Sequence, residues 1–188
     1  MENDLSSVFK PNSRRIPGFD YRKRLHYFIT FVTYKRQKLF GHKINGLVTL
    51  SPMGEAVRKI LETENDFYKD VLHLDVFMVM PDHIHLIVTI ENDDSEISIP
   101  EYVSRLKTLI MNSIKPGILA GEFPKYEKLL WQKSFIDRII RNEKDYYQIY
   151  RYIIKNPVRD LVTSLDNDEI ELTDEIRTIL SGIYKEIE

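Results

Sequence analysis

The chain has 188 residues, 43% of them hydrophobic, and a formal net charge of −2, which fits one folded domain with appendages and excludes a disordered protein. It contains no cysteine, which excludes disulfides and thiolate metal sites and fits a reducing cytoplasm. No apolar segment reaches the length of a membrane span and no secretory signal is visible, so we expect a soluble, cytoplasmic protein with no membrane partner.

The charges are unevenly distributed along the chain. Residues 1–40 contain nine lysines or arginines against three acids, whereas residues 160–188 contain two basic residues against nine acids. A basic region on a near-neutral body predicts a polyanionic partner that binds on one side. Ordinary solvated surface at both ends explains the same pattern equally well.

The first half of the chain predicts a loose arm, a strand and a helix. Residues 1–20 show little periodicity, whereas residues 25–34 are β-branched and aromatic and predict a strand, followed by a basic loop over 35–38. Ser51 and Pro52 are typical of a helix start. Apolar residues at helical spacing then extend this helix to about Tyr68.

Two apolar strands follow over residues 74–90, broken by Met80-Pro81-Asp82. Because side chains alternate along a strand, His83 and His85 point one way and their apolar neighbours the other. Burying two unpartnered imidazoles is costly, and a divalent metal ion is a partner that imidazole favours. The alternative is that both histidines lie on a solvated face of the sheet.

The second half predicts a helix that begins at Pro100 and that Pro116-Gly117 should end or interrupt, and then a fourth strand over 134–140. Residues 146–155 predict a tyrosine-rich helix that Asn156-Pro157 should stop, and the acidic tail adds a short helix near 174–184. This order predicts an α+β, ferredoxin-like (split βαβ) antiparallel sheet, with helices on one face and an additional C-terminal helix that carries the tyrosines. Such sheets commonly bind single-stranded nucleic acid.

Three blocks in this order resemble the signatures of the HUH single-tyrosine transposases, and most closely their REP-associated tyrosine transposase branch. The blocks are Met80–Leu86, Trp131–Arg138 and Tyr152–Val158. The resemblance covers roughly residues 22–162. It divides the chain into a basic arm over 1–21, a catalytic domain over 22–162 and an acidic tail over 163–188.

The resemblance implies a metal-dependent DNA transposase, an endonuclease that cleaves and rejoins single-stranded hairpin DNA through a covalent 5′-phosphotyrosine. By motif position, Tyr152 would be the nucleophile, and His83, His85 and Asn156 would bind a divalent metal ion, Mg or Mn. It also favours a monomer over a dimer. Residues 152 and 156 lie one helical turn apart, so one helix can present both.

Alternatives stay open at several of these positions. Tyr150 competes with Tyr152, and Asn156 could simply stop the helix. Asp82 is read as a turn residue, with orientation of a histidine as the alternative, and Asp137-Arg138 could form an ion pair. The basic residues that could contact DNA are Arg14, Arg15, Arg22, Lys23, Arg24, Lys35, Arg36, Lys38, Arg105 and Lys107.

Two other functions compete with strand transfer. One is a non-catalytic, ferredoxin-like module that binds single-stranded nucleic acid by stacking and charge, for which metal ligands are not needed. The other is a metal phosphoesterase that uses water, in which the helix tyrosines would be dispensable. A covalent protein–DNA adduct separates all three.

Overall fold

A computed structural model describes residues 15–64, 71–93, 95–167 and 171–185 of the chain. The strands are β1 (His26–Val32), β2 (Gly41–Ile44), β3 (Leu47–Leu50), β4 (Leu72–Met80), β5 (His83–Ile90) and β6 (Ile136–Ile140). The helices are α1 (Pro52–Thr63), α2 (Ile99–Leu119), α3 (Glu143–Lys155), α4 (Arg159–Asp166) and α5 (Asp174–Lys185). Among the described residues, none of these helices is both long and apolar enough to cross a membrane.

The main feature is a four-stranded antiparallel sheet in the order β4-β5-β1-β6. Along the chain these strands alternate with α1 and α2 as βαββαβ, which is the ferredoxin-like arrangement. The predicted α+β class is therefore confirmed. The register of β1 on β5 places Thr30 opposite His85 and Val32 opposite His83.

The helix starts follow from their capping residues. Ser51 Oγ accepts a hydrogen bond from the Gly54 N–H at 3.1 Å and caps α1. Ser98 forms a capping box with Glu101 and starts α2, so this helix begins one residue before the predicted Pro100. The predicted continuation of α1 towards residue 68 falls on residues 65–70, outside the described residues.

The prediction that Pro116-Gly117 would end or interrupt the second helix is wrong. Helix α2 continues to Leu119 with Pro116 inside it. Proline removes one backbone donor, but its carbonyl still accepts from the Ala120 N–H at 2.9 Å. The apolar face also continues through this turn, because Ile114 is buried and Ile118 packs against the same core. By contrast, α3 does end at Lys155, as Asn156-Pro157 predicted.

The sheet separates two apolar clusters of unequal size. The larger cluster lies between the sheet and helices α1 and α2, and β1 contributes Ile29 and Phe31 to it. The smaller cluster lies on the other face, where Phe28 packs with Ile149 and Ile153 of α3. Alternation along β1 thus buries both faces of one strand, and α3 covers the face opposite α1 and α2.

A β2–β3 hairpin that the sequence did not predict packs beside the sheet. Its turn contains Gly46, whose φ of +79° is a conformation that favours glycine. The Leu161 N–H donates to the Gly46 carbonyl at 3.2 Å, so the hairpin contacts the first turn of α4. A Cβ at Gly46 would lie 2.4 Å from the Leu161 nitrogen, and the close approach requires glycine for this reason as well.

Candidate functional site

Two histidine side chains project from the same face of β5 and approach each other at their ring nitrogens. The Nε2 atoms of His83 and His85 lie 3.1 Å apart. Their neighbours in the strand, Ile84 and Leu86, are fully buried in the larger core on the other face. The prediction that the two imidazoles share one side of the strand is therefore confirmed.

The second nitrogen of each ring contacts a polar side chain. Asp82 Oδ1 lies 2.5 Å from His83 Nδ1, and Thr30 Oγ1 lies 2.7 Å from His85 Nδ1. Arg36 Nη1 donates to the other oxygen of Asp82 at 3.0 Å. With the ring protons on Nδ1, both histidines direct an Nε2 lone pair at one point, which is how paired imidazoles bind a cation. Asp82 is thus both a turn residue and the side chain that orients His83.

The charge states of the site agree with this geometry. Burial holds the pKa of His85 well below its ordinary value, and the charge of His83 acts in the same direction. His85 is therefore neutral at physiological pH, and its Nε2 can accept a cation. Burial alone would raise the pKa of Asp82, but the hydrogen bond from His83 and the charge of Arg36 outweigh it and hold this pKa below its ordinary value.

Helix α3 brings a tyrosine to the histidine pair. Asn142 caps the helix by accepting from the Asp145 N–H at 2.9 Å, and Ile153 is fully buried against the sheet. The ring of Tyr152 lies edge to face with that of His85, and their centroids are 5.4 Å apart. The phenol is therefore a direct neighbour of the imidazole that Thr30 contacts.

One open cleft of about 520 Å³ unites the residues predicted to carry out the chemistry. Tyr152, His83, His85 and the buried Asn156 all line it. The rest of the lining is Thr30, Val32, Arg36, Lys38, Lys43, Met80, Pro81, Asp82, Ile136 and Arg159. Tyr150, the competing tyrosine, is not part of this lining and stacks on Tyr146 instead, with centroids 6.4 Å apart.

The basic residues predicted to contact DNA are spread over the molecule. Arg36 and Lys38 line the cleft. Lys107 lies on α2, on the other side of the sheet, where its Nζ donates to two carbonyls of segment 132–134 at 3.0 and 3.1 Å. Burial lowers the pKa of Lys107 to about 8, and this ammonium group serves the packing of α2.

The other predicted DNA contacts lie away from the cleft or are engaged elsewhere. Lys35 pairs with Glu127 at 2.9 Å, and the guanidinium of Arg15 lies 4.4 Å from the centre of the Phe135 ring. Of the remaining four described residues, Arg22, Lys23 and Arg24 come before β1, at the end of that strand opposite the cleft. Arg105 lies on α2. Arg14 lies outside the described residues.

The ion pair suggested between Asp137 and Arg138 gives way to other partners. Asp137 accepts from the Tyr21 hydroxyl at 2.8 Å, and Arg138 pairs with Asp145 at 3.4 Å. The two side chains leave opposite faces of β6, because they are consecutive in a strand.

Three polar or charged residues of the cleft were not identified from the sequence: Thr30, Lys43 and Arg159. A signal for Arg159 exists, because it directly follows the Tyr152–Val158 block that carries the predicted nucleophile. Thr30 depends on the register between β1 and β5, and Lys43 depends on how the hairpin packs. Neither feature can be read from local sequence.

Comparisons with known proteins agree on a family. The sequence profile of the transposases described as IS200-like matches residues 21–156. An uncharacterized protein of Haemophilus influenzae is 32% identical over 165 residues, which are 81% of this chain and 91% of that protein. A second protein of Haemophilus influenzae, provisionally named a REP-associated tyrosine transposase, is 31% identical over 84 residues, which are 43% of this chain and 47% of that protein.

Among solved structures, that of a REP-associated tyrosine transposase bound to a REP hairpin is similar to this chain. The match has a TM-score of 0.52 at 23% sequence identity and covers 79% of this chain and 73% of that one. At this identity, the likeness shows a common fold.

Proposed function

Because the chain belongs to the family of IS200-like transposases, we propose that it cleaves and rejoins single-stranded hairpin DNA, as a member of the REP-associated tyrosine branch. The observation that carries this proposal is the shared cleft, in which Tyr152 lies beside His83 and His85 with Asn156 one turn away. The hairpin as substrate is suggested by the DNA that the structurally similar transposase binds. The similarity to a provisionally named REP-associated relative supports the branch.

The proposed reaction is a phosphoryl transfer to the tyrosine. The Tyr152 hydroxyl oxygen attacks the scissile phosphorus and loses its proton, the bond from phosphorus to the 3′ oxygen breaks, and that oxygen takes up a proton. The 5′ phosphate stays on the protein. Because the phosphotyrosine keeps the energy of the phosphodiester, the released 3′ hydroxyl can reverse the step without ATP.

His83, His85 and Asn156 are the residues that would hold a divalent ion, Mg or Mn. The fit rests on the two Nε2 atoms, which face each other at 3.1 Å with their rings held from behind by Asp82 and Thr30. In the described ranges, no group of three or more His, Asp or Glu side chains could hold a metal ion, and the third ligand that we propose is the amide of Asn156 in the same cleft. When bound, such an ion stabilises phenolate and withdraws electrons from a non-bridging phosphate oxygen.

The test is adduct formation with hairpin DNA labelled at its 5′ or its 3′ end. The protein is incubated with a pool of single-stranded hairpins and Mn²⁺, then separated on a denaturing gel. We expect the 3′ label to migrate with the protein in the wild type and in Tyr150→Phe, the matched control. Tyr152→Phe removes one oxygen and keeps the ring, so it should bind DNA and form no adduct.

The competing functions predict different gels. A non-catalytic binding module retains hairpin DNA in a native gel but forms neither adduct nor fragments. A phosphoesterase releases fragments without an adduct, and Tyr152→Phe leaves this release unchanged. An adduct that carries the 5′ label would contradict the proposed polarity.

A further inference from the structure

The cleft that contains Tyr152 has an excess of positive side chains that the proposed reaction does not yet use. Apart from the two histidines, its titratable lining consists of Arg36, Lys38, Lys43, Arg159, the Tyr152 phenol and one carboxylate, Asp82. That carboxylate already pairs with Arg36 at 3.0 Å. The lining therefore favours a ligand that carries more than one negative charge, as a DNA strand does.

A second open cleft of about 440 Å³ shows that this excess is not general. It lies at the other end of β1, and its charged lining is Arg24, Arg141, Glu91 and Glu143. Two cations face two carboxylates there, so it offers no net attraction to a phosphate. The excess of positive charge is therefore a property of the cleft that contains Tyr152, which we call the tyrosine cleft.

Among the positive side chains of this cleft, Arg159 is the closest in sequence to the helix of Tyr152. Asn156 has α-helical backbone angles, φ −57° and ψ −41°, and so does Arg159, φ −55° and ψ −45°. Val158 between them departs from these angles, with φ −114° and ψ 2°, and separates α3 from α4, yet residues 152, 156 and 159 line the cleft together. The last turn of α3, the residue after it and the first residue of α4 therefore present the phenol, the amide and the guanidinium to one cleft.

The guanidinium of Arg159 is held near Asp160 and stays accessible to a ligand. Its Nε lies 3.9 Å from Asp160 Oδ1, an ion-pair distance too long for a hydrogen bond. The other oxygen of Asp160 accepts from Lys43 Nζ at 2.6 Å. Asp160 thus joins the two cations across the contact between α4 and the hairpin, which the Leu161 to Gly46 hydrogen bond also fixes. More than half of the Arg159 side chain, 56%, remains exposed.

We propose that Arg159 is a catalytic residue whose guanidinium binds the non-bridging oxygens of the scissile phosphate beside Tyr152, with Lys43 holding a neighbouring phosphate of the strand. This proposal rests on the proposed function. A planar fork of N–H donors fits two phosphate oxygens, and its charge offsets the negative charge that builds up as the phenol oxygen adds to phosphorus. Asp160 is the positioning residue for both cations.

The test compares Arg159→Gln and Arg159→Lys with Arg151→Gln. Arg151 is an exposed arginine on α3, next to Tyr152, and it does not line the cleft. With hairpin DNA at saturation, we expect Arg159→Gln to slow adduct formation about 10²–10³-fold. Arg159→Lys keeps the charge without the fork and should fall between Arg159→Gln and the wild type. Arg151→Gln should react like the wild type.

A second measurement is independent of cleavage. In the Tyr152→Phe background, the affinity for a single-stranded oligonucleotide is measured over a range of salt concentrations. Loss of one phosphate contact should reduce the log–log slope by about 0.7 in Arg159→Gln and leave it unchanged in Arg151→Gln.

Failure of this inference and failure of the proposed function give different results. If the wild type forms the adduct but Arg159→Gln matches Arg151→Gln in rate and salt slope, the role of Arg159 is refuted and the proposed function stands. If Arg159→Gln loses affinity but keeps the full rate at saturation, Arg159 only binds DNA and is not catalytic. If the wild type forms no adduct and the salt slope still falls in Arg159→Gln, the phosphate contact stands and the proposed function is wrong.

Discussion

Thr30 holds the imidazole of His85, and its replacement tests how the site is built. Thr30→Val keeps the branched shape and removes the hydroxyl that lies 2.7 Å from His85 Nδ1. The two side chains are only 7% and 5% exposed, so water replaces the lost partner poorly. Leaving a buried ring nitrogen without its hydrogen bond costs about 1–3 kcal/mol of unfolding free energy. For a chain of this size, that lowers Tm by about 2–4 °C per kcal/mol.

The second effect concerns the metal site. A ligand that loses the residue orienting it typically binds its ion about 10–100-fold more weakly. We therefore expect calorimetric titration with Mn²⁺ to give a Kd higher by that factor in Thr30→Val. Thr89→Val is the control away from the cleft, because the buried Thr89 places its Oγ1 2.6 Å from Nδ1 of the exposed His26. It should lose stability and keep its affinity for Mn²⁺.

The two threonine variants together can refute this reasoning. If both lose similar stability and Thr30→Val still binds Mn²⁺ as tightly as the wild type, Thr30 does not hold His85 as a ligand. If the wild type itself does not bind Mn²⁺, the proposed metal site is wrong.

Two further predictions concern stability. Burial raises the pKa of Glu64 above its ordinary 4.5, against the opposing hydrogen bond from Tyr102, so the fold favours the protonated form. Stability from this group is present below pH 4.5 and is lost as the pH rises through the folded-state pKa of Glu64. The Glu64→Gln variant should therefore have a higher Tm than the wild type at pH 7. A Tm difference between the two proteins that does not change with pH would contradict this prediction. Gly46→Ala should destabilise the protein by more than about 1 kcal/mol, because its Cβ would lie 2.4 Å from the Leu161 nitrogen. Gly121→Ala, with a similar φ of +77° and no atom near its Cβ, is the control, and an equal loss in both variants would show that only backbone strain matters.

Local sequence patterns predicted most of the fold, because capping and alternation act over a few residues. Ser51 lies at the N-cap of α1, and His83 and His85 share a face of β5, as predicted. The β2–β3 hairpin escaped prediction because its short strands pair only with each other, and its position depends on a distant contact with α4. Pro116 shows the reverse case, in which continued burial of an apolar helix face overrides a local breaker.

The candidate site was predictable where its residues are neighbours in sequence. Two histidines two apart in a strand can be recognised from their spacing, whereas Tyr152 and Asn156 were predicted from the resemblance of their block to a family motif. Thr30 could not be identified in this way, because its contact with His85 depends on the register between two strands. The choice between Tyr152 and Tyr150 likewise depended on how α3 is rotated against the sheet.

The unequal division of the core gives the two sides of the sheet different resistance to local opening. Helix α3 is held by the smaller cluster, through Ile149, Ile153 and Ile154, whereas α1 and α2 share the larger one. The free energy of a local opening rises with the apolar area it exposes, so the amides of α3 should exchange hydrogen sooner than those of β1. The packing of α3 against the sheet, which completes the tyrosine cleft, is then a local equilibrium that is separate from global unfolding. Trimming Ile149 would change the fraction of molecules with a complete cleft before it threatened the fold as a whole.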